Sequence, residues 1–280
     1  MNQATSTPVS QDLVDQVVSL THDAGKAILD IYQQDFDVEQ KSDDSPVTAA
    51  DLAAHKILVA GLRGMTPQIP VLSEEEEMPS FAERGSWGVY WLIDPLDGTK
   101  EFINRNGEFT VNVALIENGE PVLGVVYVPV KEVTYAGSKR LGAKKIVAGE
   151  SKSIRVRSLS ERQQQQLPVE LVASRRHGAE AVEQLMAKLQ PLFSSVETKD
   201  MGSSLKLCLV AEGEADLYPR LALTSEWDTA AAQAVVEAAG GTVVDVDFNL
   251  LRYNTKDDIL NPFFYVIGDT DFDWRSILEA

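Results

Sequence analysis

The sequence has little of what marks secreted, membrane-spanning or nucleic-acid-binding proteins. Its single cysteine, Cys208, cannot form a disulfide within the chain, and this favours a cytosolic protein. Only 25 basic residues stand against 43 acidic ones, and the formal net charge of −18 repels a polyphosphate backbone, so a nucleic-acid polymer is not an expected partner. The most apolar run, residues 122–130, is less than half of the roughly 20 residues that a membrane-spanning helix needs.

The N-terminus also lacks a targeting pattern. It begins MNQATSTPVSQDL, with no basic stretch followed by an apolar one, which predicts a cytoplasmic protein. Peripheral association with the inner membrane stays open, because a surface-bound protein needs no spanning segment. The sequence does not fix the oligomeric state. His22 and His55 do not have the spacing of zinc ligands, so zinc is not expected.

What the sequence does contain is enough apolar material for a large core. Hydrophobic residues make up 44% of the 280 residues and charged residues 24%. We expect two lobes that share this core. Residues 1–150 would form an α+β lobe and residues 151–280 an α/β lobe, with the boundary in the polar segment 149–168.

Periodic patterns predict the main elements. In the first half, apolar spacings of three and four predict helices at 11–31, capped by Ser10, and at 49–62. Strand-like runs predict a buried strand at 89–93 and a hairpin of strands 110–116 and 121–130, joined at Asn118-Gly119. In the second half, predicted strands at 171–173, 215–218 and 241–246 alternate with predicted helices at 179–189, 203–211 and 229–239.

Two carboxylates lie three residues apart where the predicted strand 89–93 ends. In the segment Asp94-Pro95-Leu96-Asp97-Gly98-Thr99, a rigid proline and a permissive glycine shape the turn, so both carboxylates can face one ion. Mg²⁺ prefers oxygen ligands, and the carbonyl of Leu96 is placed to be a third one. The alternative is a polar turn without a ligand.

Two other acidic positions become informative only in combination with this turn. Asp228 comes where a helix of small residues begins, and by itself it could simply complement the helix dipole. Glu74 opens a run of four glutamates that could be a solvated surface.

Four segments together resemble the inositol monophosphatase superfamily. They are Pro46-Val47-Thr48-Ala49-Ala50-Asp51, Val71-Leu72-Ser73-Glu74-Glu75, Trp91 to Phe102 (WLIDPLDGTKEF) and Trp227 to Ala232 (WDTAAA), and they occur in the family's order. The resemblance covers most of the chain. It implies a layered αβαβα fold of the α/β class, and hydrolysis of a phosphate monoester that depends on Mg²⁺ and is sensitive to Li⁺.

The resemblance also implies roles for individual residues. The metal ligands would be Glu74, Asp94, the carbonyl of Leu96, Asp97 and Asp228, which together would hold two or three Mg²⁺ ions. Asp51 and Thr99 would orient the attacking water, and Glu74 would share in catalysis. Thr48 and Asp51 also form the pattern of a helix capping box, and Asp51 could serve both purposes.

Further segments point to the branch of the superfamily that hydrolyses bisphosphorylated nucleotides. Lys100-Glu101-Phe102 and Ala173-Ser174-Arg175-Arg176-His177 are similar to stretches of the 3'(2'),5'-bisphosphate nucleotidases, with Arg176 in place of the usual serine. Such enzymes convert adenosine 3',5'-bisphosphate to AMP in sulfur assimilation. The expected substrate contacts are Gly98, Thr99, Lys100, Ser204, Lys206, Arg220 and Asp228. Basic side chains that pair with a second phosphate suit a bisphosphate substrate.

Two other interpretations remain at this stage. An inositol or sugar phosphatase would use the same metal cluster on a different ester. A non-catalytic module would keep the cluster to sense metal or nucleotide, but it would not need Asp51 and Thr99, the residues that activate water.

Overall fold

The computed structural model describes residues 9–34, 38–40, 46–173 and 179–279. The α-helices of these ranges are α1 (Gln11–Tyr32), α2 (Ala49–Met65), α3 (Phe81–Arg84), α4 (Thr99–Ile103), α5 (Leu159–Gln164), α6 (Ala179–Leu189), α7 (Leu205–Ala211), α8 (Ala230–Ala238) and α9 (Trp274–Leu278). Short 3₁₀ helices occur at Pro129–Lys131 and Glu226–Asp228. The strands are β1 (Val38–Gln40), β2 (Pro46–Thr48), β3 (Val71–Ser73), β4 (Val89–Asp97), β5 (Thr110–Glu117), β6 (Glu120–Val128), β7 (Val133–Ser138), β8 (Gly142–Val147), β9 (Glu150–Ile154), β10 (Val169–Ala173), β11 (Val196–Asp200), β12 (Leu217–Arg220), β13 (Thr242–Asp245) and β14 (Phe264–Ile267).

Two large sheets organise the chain. The first has seven strands in the order β3-β4-β5-β6-β7-β8-β9, in which β3 is parallel to β4 and the other neighbours are antiparallel. The second has five strands in the order β11-β10-β12-β14-β13, with β10 parallel to β11 and to β12. Strands β1 and β2 form a separate antiparallel pair.

The strands β4, β5 and β6 of the first sheet are buried on both faces, and successive residues enter different cores. On β4, Trp91 and Ile93 pack with α1 and α2, whereas Tyr90 and Leu92 pack with α7 and α8. This follows from the two-residue repeat of a strand. A third core, which includes Leu185 and Ile277, lies between the second sheet and the helices α6 and α9. The layers are therefore helices, sheet, helices, sheet, helices, which confirms the predicted αβαβα fold.

Helix α8 packs unusually close to the first sheet. A Cβ atom added at Gly124 of β6 would lie 2.0 Å from the carbonyl oxygen of Ala231, and one added at Gly137 of β7 would lie 2.5 Å from the Cα of Val235. Only residues without a side chain allow this approach, and small residues on α8 complete it. The close contact sets the position of the segment just before α8, which carries Asp228.

Most predicted elements are present with small changes in their bounds. The hairpin turns at Asn118 and Gly119, which both have positive φ, 51° and 77°, as a tight Asn-Gly turn requires. Strand β4 continues to Asp97, so that Asp94 lies within the strand rather than after it. The predicted division at residue 150 stays a prediction; the first sheet extends to Ile154 and the second begins at Val169. Within the described ranges, no helix combines the length and apolar character that crossing a membrane requires.

Candidate active site

The turn that carries Asp94 and Asp97 is a bulge in β4. Asp94 pairs with Asn112 of β5 and Asp97 with Thr110, so two intervening residues on β4 oppose one on β5. A bulge re-aims side chains, and it tolerates Pro95, which has no N–H to donate to the ladder. The N–H of Leu96 donates to Oδ1 of Asp94 at 3.0 Å, which fixes that carboxylate inside the bulge.

Three carboxylates from separate parts of the chain meet beside this bulge. Glu74, Asp94 and Asp228 each offer an oxygen atom, and these atoms lie within 4.8 Å of one another. Glu74 follows β3, and its N–H donates to the carbonyl of Ile93 on β4 at 3.3 Å. Asp228 ends the 3₁₀ turn 226–228, where its Oδ2 accepts the N–H of Ser225 at 2.9 Å.

The electrostatics of this cluster favour a bound cation. Burial, followed by the negative charges of Glu74 and Asp97, raises the pKa of Asp94 well above its usual value. Burial and the charges of Asp97 and Glu74 raise the pKa of Asp228 in the same way. A divalent ion would remove this repulsion, and an all-oxygen set of donors fits a hard cation such as Mg²⁺.

Asp97 is held by a polar network at the start of α7. Its Oδ2 accepts the N–H of Ser204, and the side chains of Thr110 and Asn112 each donate to the same oxygen at 3.4 Å. The hydroxyl of Ser204 lies 2.9 Å from Oδ1 of Asn112 and 2.8 Å from Oγ1 of Thr110. The predicted substrate contact Ser204 thus supports Asp97, and its hydroxyl is engaged in this network.

Thr110 and Asn112 did not figure among the candidates from the sequence. A signal for them existed. They are polar residues two positions apart in an otherwise apolar strand, and this spacing places them on the same face of β5.

Asp51 closes the predicted capping box and also contacts Thr99. Its Oδ2 accepts from the backbone N–H and the hydroxyl of Thr48, at 2.8 and 2.7 Å, which closes the capping box at the start of α2. Its Oδ1 accepts from the hydroxyl of Thr99 at 3.3 Å, and the same hydroxyl lies 3.4 Å from the carbonyl of Leu96. Burial raises the pKa of Asp51, which makes it a better proton acceptor than an exposed aspartate.

A cavity of about 180 Å³ adjoins these carboxylates. Acidic residues, Asp97 and Asp228, and basic residues, Lys206 and Arg220, line it together. Its remaining lining includes Gly98, Lys100, Glu101, Met201, Gly202, Ser203, Ser204, Leu207, Tyr218, Thr224, Thr229 and Phe264. Gly98 has φ of 91°, a conformation that glycine adopts readily, and it directly precedes α4.

Two of the three basic residues that line the cavity, Lys206 and Arg220, are held differently. Lys206 is buried, and burial lowers its pKa to about 8 although the charge of Asp97 opposes this change. Its Nζ lies 5.7 Å from the centre of the Tyr218 ring. Arg220 donates to the carbonyls of Ala222 and Leu223 at 3.1 and 2.9 Å, which fixes its guanidinium at the cavity.

The remaining sequence candidates have simple outcomes. Lys100 is exposed at the rim of the cavity. Arg176 and His177 lie outside the described residues. Cys208 is fully buried in the core between the two sheets, as its apolar neighbours predicted.

The chain belongs to the inositol monophosphatase family, a family of metal-dependent enzymes, and the family model matches residues 10–266. Among its relatives is the 3'(2'),5'-bisphosphate nucleotidase CysQ of Escherichia coli K12, which is 47% identical over 256 residues, 91% of this chain and 99% of the relative. The CysQ protein of Haemophilus influenzae is 37% identical over 271 residues, 97% of this chain and 98% of the relative. The crystal structure of CysQ from Bacteroides thetaiotaomicron superposes with a TM-score of 0.80 at 40% identity, covering 94% of this chain and 99% of that one.

Proposed function

We propose that this chain is a Mg²⁺-dependent 3'(2'),5'-bisphosphate nucleotidase of sulfur-assimilation metabolism. It removes the 3'-phosphate of adenosine 3',5'-bisphosphate and leaves AMP and inorganic phosphate. The observation that carries the proposal is the cavity that Asp97 and Asp228 line together with Lys206 and Arg220. Hydrolysis of a monophosphate needs only the carboxylates that bind metal. A bisphosphate has a second phosphate, to which Lys206 and Arg220 can bind. The similarity to CysQ proteins over nearly the whole chain supports the same substrate.

The carboxylates beside the cavity are the proposed site for two or three Mg²⁺ ions. Glu74, Asp94 and Asp228 converge there, and Asp97 and the carbonyl of Leu96 belong to the same bulge. When bound, the ions would supply Lewis-acid activation of water and stabilise the charge that develops on the ester oxygen. This explains how a strongly acidic protein can bind an anionic substrate.

Asp51 and Thr99 are the proposed positioning pair for the attacking water. The hydroxyl of Thr99 donates to Asp51, so its lone pairs stay available to accept a proton from the water. The water oxygen bonds to phosphorus as its proton passes towards Asp51, the bond from phosphorus to the 3'-oxygen breaks, and the 3'-oxygen takes up a proton from solvent. The raised pKa of Asp51 suits it to receive the proton of the attacking water.

The uncleaved phosphate is the proposed partner of Lys206 and Arg220. Both side chains line the same cavity as Asp97 and Asp228, so a substrate with two phosphates can place one at the carboxylates and the other at these basic groups. The phosphate that is cleaved would meet the backbone of Gly98 and Thr99 and the side chain of Lys100.

A substrate panel tests this function. Phosphate release is measured with Mg²⁺ from adenosine 3',5'-bisphosphate, inositol 1-phosphate and fructose 1,6-bisphosphate. We expect the nucleotide to have the highest kcat/KM. If inositol 1-phosphate or fructose 1,6-bisphosphate proves the better substrate, the nucleotidase assignment is wrong and the chain is a phosphatase of the corresponding ester.

A further inference from the structure

A buried polar chain lies next to the metal-ligand cluster and has no part in the chemistry described above. It consists of Arg84, Asn254 and Glu226, here called the buried clamp. Arg84 is 0% and Glu226 1% exposed, although both are charged residue types that are rarely found inside a protein. Burying such groups costs free energy unless they are paired, so packing alone does not explain why Arg84 and Glu226 are buried.

The contacts of the buried clamp run in both directions. Arg84 donates through Nη1 to the side-chain oxygen of Asn254 and through Nη2 to the carbonyl of Asp257. Asn254 returns a bond from Nδ2 to the carbonyl of Arg84 at 2.6 Å. The backbone N–H of Asn254 then donates to both carboxylate oxygens of Glu226, each at 2.9 Å.

The buried clamp joins the parts of the chain that present the metal ligands. Arg84 ends α3, in the segment between Glu74 and the strand β4 that carries Asp94. Glu226 begins the 3₁₀ turn that ends at Asp228. The backbone of this turn is also fixed to the segment 254–259 that contains Asn254, since the N–H of Glu226 donates to the carbonyl of Ile259 at 2.9 Å. A rotation of the turn would therefore break the bonds of Glu226 and move Asp228 away from its partners.

We propose that Glu226 is a positioning residue for the metal site: through the buried clamp it holds the Asp228 turn at the distance from Glu74 and Asp94 that a divalent cation requires. The inference rests on the proposed metal site and adds a residue to it that touches neither metal nor substrate. Groups that orient metal ligands through hydrogen bonds typically change metal affinity by about 10- to 100-fold when they are removed.

The chain offers a matched control for Glu226. Asp216 is also a buried carboxylate, at 1% exposure, and its Oδ2 accepts the backbone N–H of Glu170 at 2.7 Å. It also accepts directly from an arginine, Arg157, with N–O distances of 2.6 Å. Its contacts tie β10 to the start of β12, and none of these hydrogen bonds involves Glu74, Asp94 or Asp228. The loss of Asp216 should destabilise the fold without disturbing the metal ligands.

The test measures Mn²⁺ binding to the full chain without substrate, by electron paramagnetic resonance of free Mn²⁺. We expect Glu226→Ala to raise the Kd for Mn²⁺ by about tenfold or more. Glu226→Gln keeps an oxygen acceptor for Asn254 and should stay within about threefold of the parent, whereas Asp216→Ala should leave the Kd unchanged.

Two results would overturn the inference: an unchanged Kd in Glu226→Ala, or an equal loss of affinity in Asp216→Ala. If the parent itself does not bind Mn²⁺, the proposed metal-dependent function fails, which is a different result from a parent that binds and a variant that binds equally well.

A second pair of variants decides the matter if an alanine variant does not fold. Asn254 has φ of 55°, so Asn254→Gly keeps the backbone conformation and the N–H to Glu226 but removes both side-chain bonds to Arg84. Asn118, in the hairpin turn, has φ of 51° and gives the matched variant Asn118→Gly. Weaker Mn²⁺ binding in Asn254→Gly but not in Asn118→Gly supports the inference, and equal binding in both contradicts it.

Discussion

Asp97 combines two functions that usually compete in one side chain. It is a proposed metal ligand, and it also accepts hydrogen bonds from Ser204, Thr110 and Asn112. Burial raises its pKa, whereas the charge of Lys206 and the hydrogen bonds from Ser204 and Asn112 oppose this rise. The network therefore favours the ionised carboxylate, the form that a metal binds.

The substitution Asp97→Asn separates these functions. An amide oxygen can still accept from Ser204, so the fold should persist, and the metal-free variant should be at least as stable as the parent in thermal unfolding. The rate should fall by at least about a hundredfold, because bound metal supplies several kcal/mol and each ~1.4 kcal/mol is tenfold in rate. Asp245, which accepts two backbone N–H groups in a turn, provides the control Asp245→Asn, with an expected rate close to that of the parent. A near-parental rate in Asp97→Asn at saturating Mg²⁺ would mean that Asp97 is only a turn residue.

The basic residues Lys206 and Arg220 of the cavity should control the choice of substrate. A charge-assisted contact contributes about 1.5–3 kcal/mol, so Lys206→Ala or Arg220→Ala should lower kcat/KM for adenosine 3',5'-bisphosphate by roughly one to two decades. Hydrolysis of inositol 1-phosphate, which lacks the second phosphate, should change far less. Lys145, which pairs with Glu212, gives the control Lys145→Ala, for which neither activity should change. Equal losses on both substrates in Lys206→Ala would assign this residue to the fold or the common metal site.

The pH dependence of specificity should follow the ionisation of Lys206. Its pKa is lowered to about 8, chiefly by burial. Below this pH the ammonium is charged and attracts the second phosphate; above it the side chain becomes neutral and the attraction is lost. The ratio of kcat/KM for the bisphosphate to that for inositol 1-phosphate should therefore decline as the pH rises through about 8. In Lys206→Arg, whose guanidinium stays charged, the ratio should be flat over this range. A ratio that does not vary with pH in the parent would mean that the charge of Lys206 does not contribute to substrate selection.

At the scale of elements, the sequence predicts those that have a strong local signal. Helix α1 and the β5–β6 hairpin are confirmed because an apolar face and an Asn-Gly turn are local properties. Strands β7, β8 and β9 were not predicted. Strand β8 contains Lys144 and Lys145, and β9 is mostly exposed, so neither shows an apolar pattern. Each of these strands forms by pairing with the one before it, β7 with β6, β8 with β7 and β9 with β8, which is a tertiary effect.

The candidate site likewise contains residues that the sequence predicts and residues that it does not. The four carboxylates were found from the sequence because they occur in motifs with a recognisable order. The buried clamp could not be found, since Arg84 and Asn254 are 170 positions apart and each resembles an ordinary surface residue in its local sequence. Long-range pairing of polar side chains leaves no periodic trace in a single sequence.

The contact between α8 and the first sheet should be very sensitive to volume. Gly124→Ala places a methyl group against the carbonyl of Ala231, and backbone atoms cannot rotate away as a flexible side chain can. We expect a loss of about 1–3 kcal/mol in the free energy of unfolding, measured in denaturant. Gly64, in α2, has no atom within 4 Å of an added Cβ, so Gly64→Ala should be neutral or raise stability by about 0.5–1 kcal/mol. An unfolding free energy for Gly124→Ala equal to that of the parent would show that α8 can shift without cost.

At the scale of the whole molecule, the net charge of −18 should repel an anionic substrate, and the arrangement of charges at the site offsets this repulsion. Three basic residues, Lys100, Lys206 and Arg220, line one cavity, and the acidic residues beside it are proposed to bind metal ions. The same arrangement makes the metal-free protein carry Glu74, Asp94 and Asp228 close together. Stability and activity should therefore both depend on divalent metal.

Removal of metal tests this dependence directly. Chelation should abolish phosphate release, and Mg²⁺ should restore it, because like charges that repel one another cannot hold an anionic phosphate. Mg²⁺ at a hundred times its Kd should also stabilise the folded protein by about 2.7 kcal/mol, which corresponds to roughly 5–10 °C in Tm for a chain of this size. Asp97→Asn should show a smaller metal-induced rise in Tm than the parent, and this separates binding at the cluster from a general effect of salt. High Ca²⁺ should inhibit turnover while still raising Tm, since its looser coordination occupies the ligands without the octahedral geometry of Mg²⁺. Full turnover in excess chelator would contradict the metal-dependent mechanism, whatever the Tm.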